Sequence, residues 1–316
     1  MNIDINNIST KLKERFCKDC NIPINIFQEP YFSDRLKLYN EFYLTRTKWA
    51  RFIYSIEQYH TEQDYFEDYN RIKDEAIYFI KSSEAYQAFN EENMNDYAIV
   101  NTGLPSKDIF RPSNEGKTFI SIDMSQANFS ALSFYNTEIF DHEYTWESFM
   151  EKFTDNDHII HSKYIRQVIL GNCNPSRYIT YEKYLMDMIL TGLLDAGLCT
   201  KDNVVFFSND EIVIDVSDIE YIDQLVLGIN IKKLLANKPI PLKTELFKLN
   251  RINGTKGYYK LILGTRKIDV KFKCVDSLYL PFIIREWKKE KITDLDKTFY
   301  HNGLLAQFIE VPEISF

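Results

Sequence analysis

Two short stretches, 119-FISIDMSQANFSAL-132 and 204-VVFFSNDEIVIDV-216, constrain this chain more than any other part of it. In each, a carboxylate stands where an apolar, strand-like run gives out. Asp123 follows Phe119, Ile120 and Ile122 and opens a helical pattern for which Ser125 is a ready cap. Asp210 and Glu211 separate the apolar runs 204–207 and 212–214, the pattern of a β-hairpin with a polar tip. Laying the first strand beside the hairpin brings Asp123 and Asp210 to one end of a sheet. Paired carboxylates there predict a site for two divalent ions and phosphoryl chemistry. Taken singly, each has a plainer role, a helix cap for Asp123 and a turn residue for Asp210. Their joint placement carries the chemical expectation.

The 316 residues are enough for one large or two ordinary domains. Hydrophobic residues at 45% and charged residues at 27% exclude a disordered chain, and the scarcity of Gly (10) and Pro (9) disfavours a loop-rich all-β fold. No apolar run reaches the length of about 18 residues that a membrane span needs. The opening MNIDINNISTKLKERF lacks the apolar core of a signal peptide. Five scattered cysteines (17, 20, 173, 199 and 274) read as reduced thiols in a cytoplasmic setting. Cys17 and Cys20 form a lone CxxC with no second ligand pair at zinc-finger spacing, so zinc is not expected there.

Net charge is −8, unevenly spread. Residues 230–291 hold 13 Lys and 3 Arg against 3 Glu and 2 Asp, an excess of 11 positive charges, which leaves −19 on the remainder. A basic C-terminal third on an acidic chain has two readings, a polyanion footprint and a solvated sheet surface.

In chain order, residues 34–92 have the spacing of two long helices, a helical hairpin broken near 59–62. Residues 97–100 fit a short strand before a turn-rich stretch. His158 and His161 are spaced for one helix face without a carboxylate to complete a zinc motif. Lys163 and Arg166, three apart, share a face of the next helix, which stops at 171–175. A further helix from about 175–177 leads to the hairpin. Beyond it come a helix at 218–235, an alternating strand at 242–249, a hairpin over 257–275 turned at Gly264-Thr265, and a helix at 282–289.

The segment Asp123-Met124-Ser125-Gln126 resembles the first catalytic motif of family A DNA polymerases, where a palm strand turns into a helix. Asn209-Asp210-Glu211-Ile212-Val213 resembles their second, on a hairpin tip. Asn174-Pro175 with its helix, and Ile240-Pro241-Leu242-Lys243 after the hairpin, are similar to the flanks of that second motif and to the last palm strand. The resemblance covers about residues 30–250. It implies an α+β fold: a polymerase-like palm, an antiparallel sheet packed on helices, with an N-terminal helical-hairpin, thumb-like region and a basic, β-rich C-terminal extension. The implied boundaries are 1–95, 96–250 with a short fingers-like insertion at about 140–178, and 251–316.

The resemblance implies a nucleotidyltransferase, a minimal DNA or RNA polymerase extending a 3′-hydroxyl. Asp123 and Asp210 would hold two Mg²⁺ (or Mn²⁺) ions, with Glu211 a secondary ligand or electrostatic support. Lys163 and Arg166 would grip a nucleoside triphosphate, and Gln126, Asn128 and Arg177 would touch nucleotide or nucleic acid. The partners implied are a primer–template or single strand and nucleoside triphosphates, with no membrane. The sequence departs from the family in three ways. The two aspartates are only 87 residues apart, so the fingers are cut down; Asn128 stands where the family has a sugar-policing Glu; and Asn209 replaces a His. Two rivals remain: an RNase H-like two-metal nuclease, whose fold also begins with a strand ending in Asp, and a palm-derived nucleic-acid-binding or structural protein without catalysis.

Overall fold

Helices dominate the first third of the chain because apolar residues recur there at helical spacing and capping residues punctuate them. The computed structural model describes residues 3–4, 7–265 and 269–316. It opens with α1 (Thr10–Asp19), α2 (Tyr31–Leu38), α3 (Asn40–Tyr43), α4 (Thr45–Ile56), α5 (Glu62–Ser82) and α6 (Glu84–Glu91). The two expected long helices are therefore each divided. Leu44 at φ 53° breaks the first between α3 and α4. Ser83 breaks the second by capping α6 with its side chain. A capping box between Thr61 and Asp64 starts α5. Phe16, Phe32, Phe52, Tyr65, Ile72 and Ile80 form the buried faces of these helices.

Residues 97–100, expected as a strand, join no sheet. The N–H groups of Val100 and Asn101 instead donate to the Asp187 carboxylate at 2.8 and 3.0 Å. That buried carboxylate satisfies the backbone that a strand partner would otherwise have taken.

The sheet begins with β1 (Thr118–Met124), followed by α7 (Ala127–Tyr135), α8 (Trp146–Met150), α9 (Asp157–Ile160), α10 (Lys163–Gly171) and α11 (Pro175–Asp195). The hairpin is β2 (Val204–Phe207) and β3 (Glu211–Asp215); α12 (Tyr221–Leu235), β4 (Leu242–Arg251), β5 (Tyr258–Ile262) and β6 (Asp269–Lys273) follow. The strands order as β2-β3-β1-β4-β5-β6, each pair antiparallel. Thus β5 and β6 extend the same sheet, and the expected boundary at 250/251 falls inside β4. The expected hairpin over 257–275 is β5 and β6; residues 266–268, just past its expected turn, lie outside the described residues.

β1 is buried on both sides, which is why residues 119–122 are apolar or small without a break. Ile120, Ile122 and Met124 join the main core with Phe129, Leu132, Leu185 and Ile189 from the helices. Phe119 faces the other way, into a smaller cluster with Ile109, Val213, Phe247, Leu249, Tyr258 and Ile262. Toward the Asp123 end that second face turns polar.

The chain closes with α13 (Leu280–Lys288), α14 (Asp294–Lys297) and the hairpin β7 (Thr298–His301) and β8 (Leu304–Gln307). Asn302 and Gly303, both at positive φ, make its two-residue turn. Asp296 clamps this end to the N-terminal helices. It accepts from Arg35 of α2 and Arg285 of α13, each at 3.1 Å, and is itself buried. No helix among the described residues is long and apolar enough to cross a membrane. Replacing Asp296 by Ala removes the buried carboxylate that Arg35 and Arg285 share and leaves the buried Arg35 with Asp34 as its remaining acid, so Asp296→Ala should lower unfolding free energy by about 3 kcal/mol in denaturant titration.

Candidate functional site

The antiparallel ladder builds the site. Asp123 is the penultimate residue of β1 and stands opposite Glu211 on β3 and Lys243 on β4. Past the end of the ladder the backbone is still stitched: the Met124 N–H donates to the Asp210 carbonyl at 2.8 Å, and the Ser125 N–H to the Pro241 carbonyl at 2.9 Å. The hairpin tip is set by Ser208, whose hydroxyl donates to Asp210 Oδ1 at 2.9 Å and accepts from the Glu211 N–H at 3.0 Å. Gln126 then takes a left-handed conformation, φ 51°, to turn the chain into α7, a strained position that suits a functional junction.

Asp123 and Asp210 line a cleft of about 310 Å³ whose far wall comes from α10 and α11. Lys163 and Arg166 of α10 stand there with Tyr178 and Glu182 of α11, beside Gln126 and Asn128 of the β1–α7 junction. Burial, then the charge of Asp210, raise the proton affinity of Asp123, with Lys243 opposing. The Arg166 Nε is buried without a hydrogen-bond partner among the described residues. Burial pulls the Arg166 pKa down while Glu147 pushes it up. The cleft therefore sets two mutually repelling carboxylates opposite an under-satisfied guanidinium.

Glu182 was not anticipated. Burial pushes its carboxyl up to about 7, against the Asn209 side chain, which donates to it, and with Asp210 adding to the rise. Its signal lay in the sequence: Glu182 interrupts the apolar stripe of Tyr178, Leu185 and Ile189 on α11, the place where a charged residue is most costly. It ties the helix to the hairpin tip beside Asp210.

Six of the eight residues expected from the sequence, Asp123, Asp210, Gln126, Asn128, Lys163 and Arg166, line this one cleft. Tyr178 shares the cleft lining with Asn128. Glu211 stands next to the cleft, on the sheet face with Asp123, where Lys260 approaches it to 3.8 Å. Arg177 is elsewhere: its guanidinium donates to the carbonyls of Phe89 and Glu92 and ties α11 to the end of α6. The two histidines do not share a helix face. His158 is buried against Asp19 at 3.0 Å, whereas His161 lies past the end of α9, exposed and beside Asp157. Cys17 and Cys20 are both unpaired thiols.

The sheet face bearing Asp123 is an ionic surface. Register and alternation put Glu211, Glu245, Lys243, Lys260, Lys271 and Lys273 on it. β3 and β5 are three inter-strand spacings apart, about 14 Å in a flat sheet. Contact between Glu211 and Lys260 therefore requires a sheet curled toward this face. The Glu245 carboxylate gathers Lys243 at 3.0 Å, and Lys271 from two strands away, by the same curl.

A larger cavity, about 690 Å³, lies between α1, the 21–28 loop, Tyr164 and Tyr300. Among the described residues its lining holds a single carboxylate, Glu14, and no paired acids. Among the described residues no group of three or more His, Cys, Asp or Glu side chains is arranged to hold a metal ion. Two hard oxygen donors do fit Mg²⁺ or Mn²⁺, since Mg²⁺ is commonly held by one or two carboxylates with water and substrate phosphate completing the shell. Comparison with protein-family models, curated proteins and solved structures returns no match.

The raised Glu182 pKa has a stability consequence. The folded chain holds that proton more tightly than the unfolded chain, so the contribution is full below about 4.5 and is lost as pH rises through about 7. Glu182→Gln removes the dependence. In metal-free buffer the variant should gain on the order of 3 kcal/mol over wild type between pH 4 and pH 8.5, read by denaturant unfolding at each pH.

Proposed function

We propose that this chain is a nucleotidyltransferase, a small polymerase-like enzyme that joins nucleotides to the 3′-hydroxyl of a nucleic-acid strand. One observation carries the reading: Asp123 and Asp210, from neighbouring strand ends, line one cleft opposite Lys163 and Arg166. Carboxylates on one wall and cations on the other suit a metal-bound triphosphate. The order of the two acidic motifs and their flanks, similar to family A polymerases, supports the same reading.

Two Mg²⁺ or Mn²⁺ ions, when bound, would activate the attacking hydroxyl and neutralise the triphosphate. The chain's own residues do the rest. Asp123 and Asp210 would hold the ions, fixed by the ladder and by Ser208. The Arg166 guanidinium, whose Nε has no partner among the described residues, would donate that hydrogen bond to phosphate and stabilise charge on the departing pyrophosphate. Lys163, exposed at the mouth, would add a second cation. Asn128 and Tyr178, both in the cleft lining, would form the wall that the nucleoside meets. Lys243, Lys271 and Lys273 on the curled sheet face would hold nucleic-acid phosphates beside the cleft, a contact that weakens steeply with salt.

Labelled-nucleotide incorporation on a primed template with Mg²⁺ or Mn²⁺ tests this. Wild type should extend the primer, and Asp123→Ala or Asp210→Ala should each cut the rate by at least ~10³-fold. Template cleavage in place of extension identifies a two-metal nuclease, and tight nucleic-acid binding with neither activity identifies a non-catalytic protein.

Arg166→Ala should raise the nucleotide KM by about tenfold or more, since a charge-assisted hydrogen bond is worth about 1.5–3 kcal/mol. Arg177→Ala should lower the melting temperature and leave that KM unchanged. Steady-state kinetics on the two variants checks the contrast.

A further inference from the structure

Lys260 is a buried ammonium that the steps above do not use. Only 7% of its side chain is exposed. Its Nζ lies 4.2 Å from the centre of the Phe247 ring and 5.6 Å from that of Phe110. Lysine is among the residues least often buried, because its charge loses water that the interior does not replace. The stem alone packs on rings that a methionine would fill as well, so it is the charge that needs a reason. Among the described residues, the carboxylate within ion-pair reach is Glu211, at 3.8 Å. That distance is too long for a hydrogen bond, so the Glu211 oxygens stay open while the charges still attract.

Lys260 reaches this place from β5, three strands from β3, because the sheet curls. Asp123, Asp210 and Glu211 put three acids at one sheet end. Lys243 faces them too, but it is exposed and already paired with Glu245. Lys260 is buried, and a charge in a less polarisable setting acts more strongly at the same distance. Asp123 feels it as well as Glu211.

We propose that Lys260 is the resident counter-charge of the acidic cluster, a positioning residue that holds Glu211 and tempers the pull of Asp123, Asp210 and Glu211 on divalent ions. This rests on the reading of the Asp123–Asp210 cleft as a metal site. It gives the C-terminal strands a task at the site, since β5 supplies the cation that β1 and β3 lack. A counter-charge at this point keeps the metal-free acids from repelling the ladder apart and keeps bound ions exchangeable.

The test is Mn²⁺ binding to the full chain without nucleotide, followed by electron paramagnetic resonance. Lys260→Met should bind Mn²⁺ on the order of tenfold more tightly than wild type, because a repelling charge is gone. Lys260→Arg should stay within about twofold of wild type. A merely structural lysine predicts the opposite sign for Lys260→Met, since a loosened site binds more weakly. Unchanged or weaker Mn²⁺ binding by a Lys260→Met protein with native circular dichroism overturns the proposal. Should that variant not fold, Lys260→Gln replaces it, with tighter binding again expected and unchanged or weaker binding again overturning the proposal. Asp123→Asn separates the two levels of the claim. If it abolishes Mn²⁺ binding while Lys260→Met changes nothing, only the role of Lys260 falls. If it leaves Mn²⁺ binding intact, the metal reading of the cleft falls and the role of Lys260 with it.

Discussion

The hydrogen bond from the Met124 N–H to the Asp210 carbonyl is the constraint on which the candidate site depends. It extends the β1–β3 ladder one step past its last paired residues, Asp123 and Glu211, and so fixes the hairpin tip against the strand end. Two acids 87 residues apart in sequence become neighbours through backbone geometry alone. The cost is burial first and then repulsion between the two acids, which together raise the proton affinity of Asp123. A fold that maintains this repulsion must offset it, with protein cations on the curled sheet face and, in the proposed reaction, with metal ions in the cleft.

Curling gives the sheet two different faces. One buries Ile120, Ile122 and Met124 under helices and supplies most of the core. The other is apolar at one end, around Phe119 and Phe247, and ionic at the Asp123 end. Because curled strands converge their side chains on the concave side, Lys260 and Lys271 reach acids two or three strands away. The basic excess over residues 230–291 thus lies partly inside the molecule, pairing with Glu211 and Glu245, and partly on the open surface.

What was legible in the sequence was local. The alternating and apolar runs of β1, the hairpin and β4 announced themselves, and so did the acids at their ends, because strand period and turn chemistry are short-range signals. Six expected site residues share the cleft for the same reason: they flank those strand ends or sit on one helix face. What escaped depended on distant partners. Residues 97–100 end at Val100, whose N–H, with that of Asn101, goes to Asp187 some ninety residues on rather than to a strand partner. His158 turned inward because Asp19 waits there. Arg177 is consumed by carbonyls at the end of α6. Two further features are readable in the sequence: Glu182 interrupts an apolar stripe, and Asn302-Gly303 is a hairpin turn signal near the end of the chain.

The central claim is that Asp123 and Asp210 together hold divalent metal in a cleft that also takes triphosphate. The most direct measurement is an anomalous difference map from crystals grown with Mn²⁺ and a non-hydrolysable nucleoside triphosphate. The expected result is Mn²⁺ density in the cleft that Asp123 and Asp210 line, with the triphosphate bound in the same cleft on its Arg166 side. Mn²⁺ and nucleotide bound elsewhere, with that cleft empty, would contradict it.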